Sequence, residues 1–344
     1  MRPGAEWRLR GRVVAQVESP GDGKPLREPP VLAGDGLVGL RYGACVVGVD
    51  ADSLACRFSH PVVGEAALAA SKSEIVVYTP HAIRWGRSDG GVRSSSLTGS
   101  DSSARGALVL ADGDLLLWSA EALRRVSPGL ELRWEWRSHH WGDPCHDDDP
   151  EYERIAGVVL GLDGTAWVGL GRAHEPFQHL RMIDSRTGAE RQSWPRPSVE
   201  PWFATRPGLL ASEPGLVVGG IGIGLCRHGG DWAWLDDDAS AMAPLGLAAL
   251  SRIAYACGHG TLALRDLSGR PASAPLARVE LDGEPRACAG HSSGFYVGTE
   301  HGLYGIDLTG KVFLRIRQLP VEQLLLGPGW LLAIARDGML SRIE

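Results

Sequence analysis

The residues best equipped for chemistry in this 344-residue chain lie in two stretches, "RSHHWGDPCHDDDPEYER" at 137–154 and "GRAHEPFQH" at 171–179. Together they supply His139, Cys145, His146, His174 and His179, with Asp147, Asp148, Asp149 and Glu175 beside them. Imidazole nitrogens, a thiolate and carboxylates are the ligands a zinc-like divalent ion takes, and a water on such an ion is activated for hydrolase or lyase chemistry. No C-x-x-C or H-x-x-x-H module accompanies them, so the plain alternative is a pair of solvated polar loops. "GHSSG" at 290–294 matches the G-x-S-x-G pattern around Ser292, but that motif needs a helix after the turn, and here another strand follows. "GGIGIG" at 219–224 has the wrong spacing for a dinucleotide loop and reads as a strand-to-strand turn. "WLDDDAS" at 234–240 reads as a solvated acidic turn, and "SSSLTGSDSSARG" at 94–106 as a flexible loop by composition.

The elements that position these residues are short strands. Glycine is abundant at 46 residues, and long segments with helical periodicity are nearly absent. One unit recurs: a small apolar strand A, a Gly or Asp-Gly turn, a strand B rich in Val, Leu and Trp, a strand C, and a turn into strand D. It begins at Val31 with "VLAGDGLVGLRYGACVVGVDAD" and ends with "EQLLLGPGWLLAIARDGMLSRI" at the last residues, giving eight copies. The mean spacing is about 43 residues, inside the ~40–45 of propeller repeats. Each small sheet has two apolar faces and cannot bury them alone, so the sheets must stack around an axis. The expectation is therefore an all-β, single-domain β-propeller of eight short four-stranded blades over 31–344. The last copy lacks an outer strand, and the N-terminal segment 6–20 supplies one that closes the ring. Seven blades is the alternative if "LLLWSAEALRRV" is partly helical, since Ala120, Leu123 and Val126 would share a helix face. Trp118, Trp167 and Trp330 are expected at equivalent strand-B positions as core wedges.

"GFYVGTEHGLYGIDLTGK" (294–311) and "LRMIDSRTGAERQSW" (180–194) resemble repeats of the PQQ-like propeller family, with a Gly-led strand, a short turn, a second strand and then Asp-x-x-Thr-Gly or a near variant. "TAWVGLG" (165–171) also resembles sensor-type propeller repeats. The resemblance implies a fold and a binding platform. It does not imply quinone redox catalysis, because the chain has no adjacent cysteines to form the vicinal disulfide of those enzymes. The reading is a non-catalytic member without a cofactor.

Strand direction alternates within a blade, so D–A and B–C connections share one face. Both insertions, 137–154 (between units three and four) and 171–179 (within unit four), fall on that face. So do His60, His81, His139, His140, His146, His174, His179, His259 and His301, whereas His228 and His291 fall on the other. Trp202 and Phe203, in "VEPWFATR", add aromatic anchors of the kind that dominate protein interfaces. Trp202, Phe203, His81, His259 and His301 are thus the candidate contacts for a protein or peptide partner. The alternatives are a metal-dependent enzyme with its site over blade four, and a propeller that senses a small ligand at its axial pore.

Bulk properties narrow the classes. Hydrophobic residues make up 44% and charged residues 22%, as in ordinary globular proteins. A net charge of −6 with no polybasic run argues against a nucleic-acid partner and against an anionic membrane surface. No apolar stretch has the length of a signal peptide core or a membrane span, so the expected location is the cytoplasm. The six cysteines are scattered, several within apolar runs, and are expected as reduced thiols.

Overall fold

The structure is a computed structural model that describes residues 9, 11–19, 28–97, 103–138, 154–171, 179–195, 208–220, 222–229, 231–236, 242–248, 251–268 and 274–344. Regular structure among these residues is all β-strand, sorted into eight four-stranded antiparallel sheets arranged as the blades of a propeller. In blades one to seven the strands follow chain order, from the innermost A to the outermost D. Blade eight takes Gln323–Gly327, Trp330–Ile334 and Leu340–Ile343 from the C-terminal end and its outer strand, Val13–Val17, from the N-terminal end. The eight-blade expectation holds. The helical alternative at 115–126 fails because the segment is a hairpin of Leu115–Trp118 and Ala122–Val126. Its turn is fixed by the Ser119 hydroxyl, which accepts from the amides of Glu121 (3.3 Å) and Ala122 (3.1 Å), a local bond that competes with helix.

Apolar side chains form eight clusters, and each cluster joins two neighbouring blades. The closing strand serves two of them. Val13 packs into the wedge between blades seven and eight, whereas Ala15 and Val17 pack into that between blades eight and one. The change of side follows from an irregularity in pairing: Val13 opposes Ile343, but Ala15 opposes Arg342, as a β-bulge produces. Beyond the strand, Arg12 and Glu344 exchange backbone hydrogen bonds at 3.1 and 3.0 Å. The Leu9 amide donates to the Tyr296 hydroxyl of blade seven at 3.1 Å.

Bulky aromatics seat on glycine. Phe58, on the outer strand of blade one, occupies the space where side chains at Gly48 and Gly86 would stand. A methyl at those glycines would come within 2.1 and 2.2 Å of the ring. Trp118 covers Gly106 and Trp330 covers Gly327 in the same way, at 1.7 and 2.1 Å. Trp118, Trp167 and Trp330 are all buried on B strands, yet they sit at the end, the middle and the start of their strands and are not equivalent. Two have a cross-strand glycine to lie on, while Trp167 faces Val159.

The C-to-D turns repeat one device. Asp184 Oδ1 accepts from the amides of Arg186 and Thr187 at 2.9 and 3.0 Å, and Asp307 Oδ1 from those of Thr309 and Lys311 at 2.9 and 3.0 Å. Asp50 and Asp266 bond their own turns likewise. The glycines that follow, Gly188 at φ 74° and Gly310 at φ 91°, take the left-handed backbone the turn requires. The serine-rich segment is not wholly loop. Val92–Ser96 is the outer strand of blade two, and Ser103 is buried with its hydroxyl accepting from the Ala120 amide at 3.0 Å. Composition missed this because an outer strand with a wet face needs few apolar residues.

Two measurements test this account. Phe58→Ala empties a wedge between blades one and two and is expected to cost about 3–5 kcal/mol, read as a shift in urea midpoint. Removing residues 1–19 leaves Leu340–Ile343 with an open edge; size-exclusion chromatography is expected to show association or loss of the monomer peak, and a monomer with unchanged melting would contradict the closure.

Candidate functional site

The D–A/B–C face presents four described imidazoles, one of which, His60, is half-buried near the end of strand D of blade one. His81, His259 and His301 each lie in a B–C turn, of blades two, six and seven, and all three are exposed. The turns are held by other groups. The Thr299 hydroxyl accepts from the His301 and Gly302 amides at 3.1 and 3.0 Å and donates to the Asp282 carbonyl at 2.9 Å. Thr79 does the same work for its turn, accepting from the Ala82 amide at 3.1 Å. His259 takes φ 50° between two glycines that also have positive φ. The imidazoles themselves are therefore not consumed in holding the fold. Blades six and seven are neighbours, so His259 and His301 share one sector; His81 is three blades away from His301 and does not join them.

Around that sector the surface is charged and ordered. The Glu284 amide donates to Glu300 Oε1 at 3.1 Å, the Gly260 amide to Glu284 Oε1 at 3.2 Å, and Arg286 Nε approaches Glu300 Oε2 at 3.4 Å. Glu300 is held below the usual carboxylate range: burial opposes this, and the amide and Arg286 contacts outweigh it. Arg315 pairs with Asp282 at 3.1 Å.

Trp202, Phe203, His139, Cys145, His146 and His174 lie outside the described residues. His179 opens strand C of blade four, with its backbone opposite Leu170 and Pro195. Among the described residues no group of three or more His, Cys, Asp or Glu is placed to hold a metal ion.

The other motifs resolve into structure. Ser292 sits in the turn that joins Pro285–His291 to Gly294–Thr299, strand to strand. Its neighbour Ser293 meets His291 Nδ1 at 3.1 Å, and the His291 ring stacks on Tyr296 with centroids 4.9 Å apart. Gly219–Gly224 spans the B-to-C turn of blade five. Asp236, expected in a solvated acidic turn, is instead buried, because it ends a strand against the next blade. There it accepts from the Tyr255 hydroxyl at 2.7 Å, and Arg265 Nε donates to that hydroxyl at 2.7 Å. The described cysteines are free. Burial pushes the Cys226 and Cys288 thiols up to about 12, which makes them poor nucleophiles.

Sequence reasoning missed a groove on the opposite face. It lies between blades three and four, has a volume of about 690 Å³, and is lined by the A–B turns of both blades and the C–D turn of blade four. Its charged walls are Asp112, Arg125, Asp163, Asp184, Arg186 and Arg191. Arg125 Nε donates to Asp114 at 2.7 Å, Nη2 bonds Asp112, and Nη1 reaches the Ser185 carbonyl of the next blade at 3.0 Å. Arg191 closes on Asp184. One sequence signal was available: Asp50–Arg57 and Asp184–Arg191 share a seven-residue spacing that pairs the two residues across the C–D turn.

The chain as a whole resembles known structures in fold alone. No protein-family model matches it, and no curated protein matches it. Among solved structures it is similar to BamB from Moraxella catarrhalis, with a TM-score of 0.65 and 13% identity over 97% of this chain and 99% of that one. It is also similar to the computationally designed Ika8 protein, with a TM-score of 0.68 and 15% identity over 95% and 98%. Both likenesses are of fold alone.

The Asp184 contacts make a pH prediction. The Arg191 side chain first, then the turn amides, lower its carboxyl from an ordinary 3.8 to about 2. A lowered folded pKa stabilises the protein above about pH 4, and the contribution is lost as pH falls towards 2. Asp184→Asn is expected to melt below wild type at pH 6, by about 1 kcal/mol or less because the pair is open to water. The gap should close between pH 4 and 2; a pH-independent gap would refute the assignment.

Proposed function

We propose that this propeller is a non-catalytic scaffold that binds a protein or peptide partner through its D–A/B–C face. The observation that carries the reading is the use of the B–C turns. Thr79 and Thr299 satisfy the turn backbone beneath His81 and His301, Glu284 accepts from the Gly260 amide beside His259, and all three imidazoles are exposed. Preorganised polar groups on a stiff frame lose little entropy on binding. His259 and His301 form the central sector with Glu300 and Arg286 around them, and His81 extends the contact across the ring. Trp202 and Phe203 are the aromatic anchors expected on the same face. A propeller fold shared with BamB is consistent with a scaffold role.

The test is affinity capture on the full chain, followed by reconstitution with the purified partner. Trp202→Ala, and separately the double variant His259→Ala with His301→Ala, are expected to lose the partner, and the double variant, at two exposed positions, is expected to keep the wild-type melting temperature. Retention of the partner by both would overturn the reading. So would stoichiometric zinc by elemental analysis that disappears with His146→Ala, since that result makes the same face a metal-dependent enzyme.

A further inference from the structure

The outer part of the wedge between blades one and two is built around an imidazole. On the outer strand of blade one, Cys56–Pro61, Phe58 lies against Gly86 of blade two. Two residues further on, His60 faces the same way, with its ring centroid 5.5 Å from that of Phe58. Arg84, on strand Ala82–Arg87 of blade two, crosses the wedge, and its Nη1 donates to the Pro61 carbonyl at 2.7 Å.

The His60 ring is half-buried as a whole, but its Nε2 is shut off from water and has no hydrogen-bond partner among the described residues. A neutral ring tolerates this, because the buried nitrogen can be the one without a proton. An imidazolium carries a proton on both nitrogens, so protonation would leave a charged N–H without an acceptor.

The carboxylates around the ring are engaged elsewhere or open to water. On blade one, Arg57 points to the other side of the strand and pairs with Asp50 at 2.9 Å. The Cys56 thiol is pushed up by burial and is uncharged at neutral pH, and the residue opposite His60 on strand C is Val46. On blade two, Glu74 is taken by Arg93 at 3.0 Å and Asp89 by Arg87 at 3.8 Å. Glu65 on the connection between the blades and His81 in the B–C turn of blade two are exposed. The charge that acts on the ring is the Arg84 guanidinium, which bonds a carbonyl and has the same sign as an imidazolium. Burial first, and Arg84 second, hold His60 below its ordinary 6.5.

We propose that His60 makes the rim of this wedge a pH-sensitive joint, closed while the ring is neutral and opened when it takes up a proton. Protonation leaves an unpaired N–H and two like charges in the crevice, and the outer strand of blade one lifts from blade two with the connection 61–66. The inner part of the wedge, with Leu37, Ile75 and Val77, is apolar and stays closed. The moving connection carries Val63, 95% exposed, in the sector of the D–A/B–C face that holds His81. Acidification therefore remodels that sector and leaves the His259–His301 sector in place. Unfolded, His60 takes its proton near 6.5, whereas folded it does so only at lower pH. Stability present above pH 6.5 is thus lost as pH falls through the folded value.

The test combines an NMR titration of the His60 ring in the full chain with hydrogen exchange corrected for the intrinsic pH dependence of the amide rate. The ring is expected to titrate below its ordinary value. Peptides covering 56–66 should lose protection between about pH 7.5 and about pH 5, while those covering Leu340–Ile343 keep theirs. His60→Gln, and separately His60→Phe, should abolish that loss, and Arg84→Gln should reduce it. Thermal melts at neutral pH identify the variants that fold, and the ring titration on the unaltered chain needs none of them. A ring that titrates at or above its ordinary value, equal protection at both pH values, or the same loss in a folded His60 variant would overturn the inference.

Discussion

No blade of this ring buries its own apolar faces. Each of the eight hydrophobic clusters lies between two sheets, so the unit of stability is the wedge and not the blade. An open array would leave two half-wedges exposed to water. The N-terminal strand prevents this by completing blade eight, and its bulge divides the side chains of one short strand between two wedges. Closure joins residues more than three hundred positions apart, with Val13 opposite Ile343. It therefore costs loop entropy that only the two completed wedges repay.

Polar groups set the register of the wedges. Tyr255, Asp236 and Arg265 form a buried network across blades five and six. Buried Arg41 ties the chain entering blade one to the connection leaving it, through Glu28 at 3.1 Å and the Ala66 carbonyl at 3.1 Å. Arg125 and Trp134 converge on one carbonyl across blades three and four. Buried polar groups are costly unless every one is paired, so such networks discriminate against slipped packings that would strand a charge.

The fold was legible because its signals are local. A Gly-led apolar strand, a two- or three-residue turn and an Asp that bonds its own turn recur within one unit, and repetition compounds them. The errors share a cause, which is that each depended on a partner outside the local stretch, on the next blade or on the paired strand. Asp236 is in an acidic run, yet the adjacent sheet supplies Tyr255 and buries it. The three B-strand tryptophans were expected to be equivalent, but each takes the position its cross-strand partner allows, and glycine opposite Trp118 and Trp330 sets theirs. The groove was illegible for the same reason, because Arg125 and the carbonyl it grips on Ser185 are sixty residues apart. The face assignment of the described turn histidines His81, His259 and His301 was readable, since strand alternation alone fixes it.

A closed ring of this kind separates the face from the frame. Side chains that point into the wedges are constrained by two sheets at once, whereas turn residues are constrained only by their own hairpin. The Thr79 and Thr299 turns and the Asp184 turn are each fixed by a hydroxyl or carboxylate that bonds backbone amides. The residue at the tip is then free to vary in type without disturbing the core. The side chains at those turn tips, His81 and His301 among them, are exposed and stand outside the wedges.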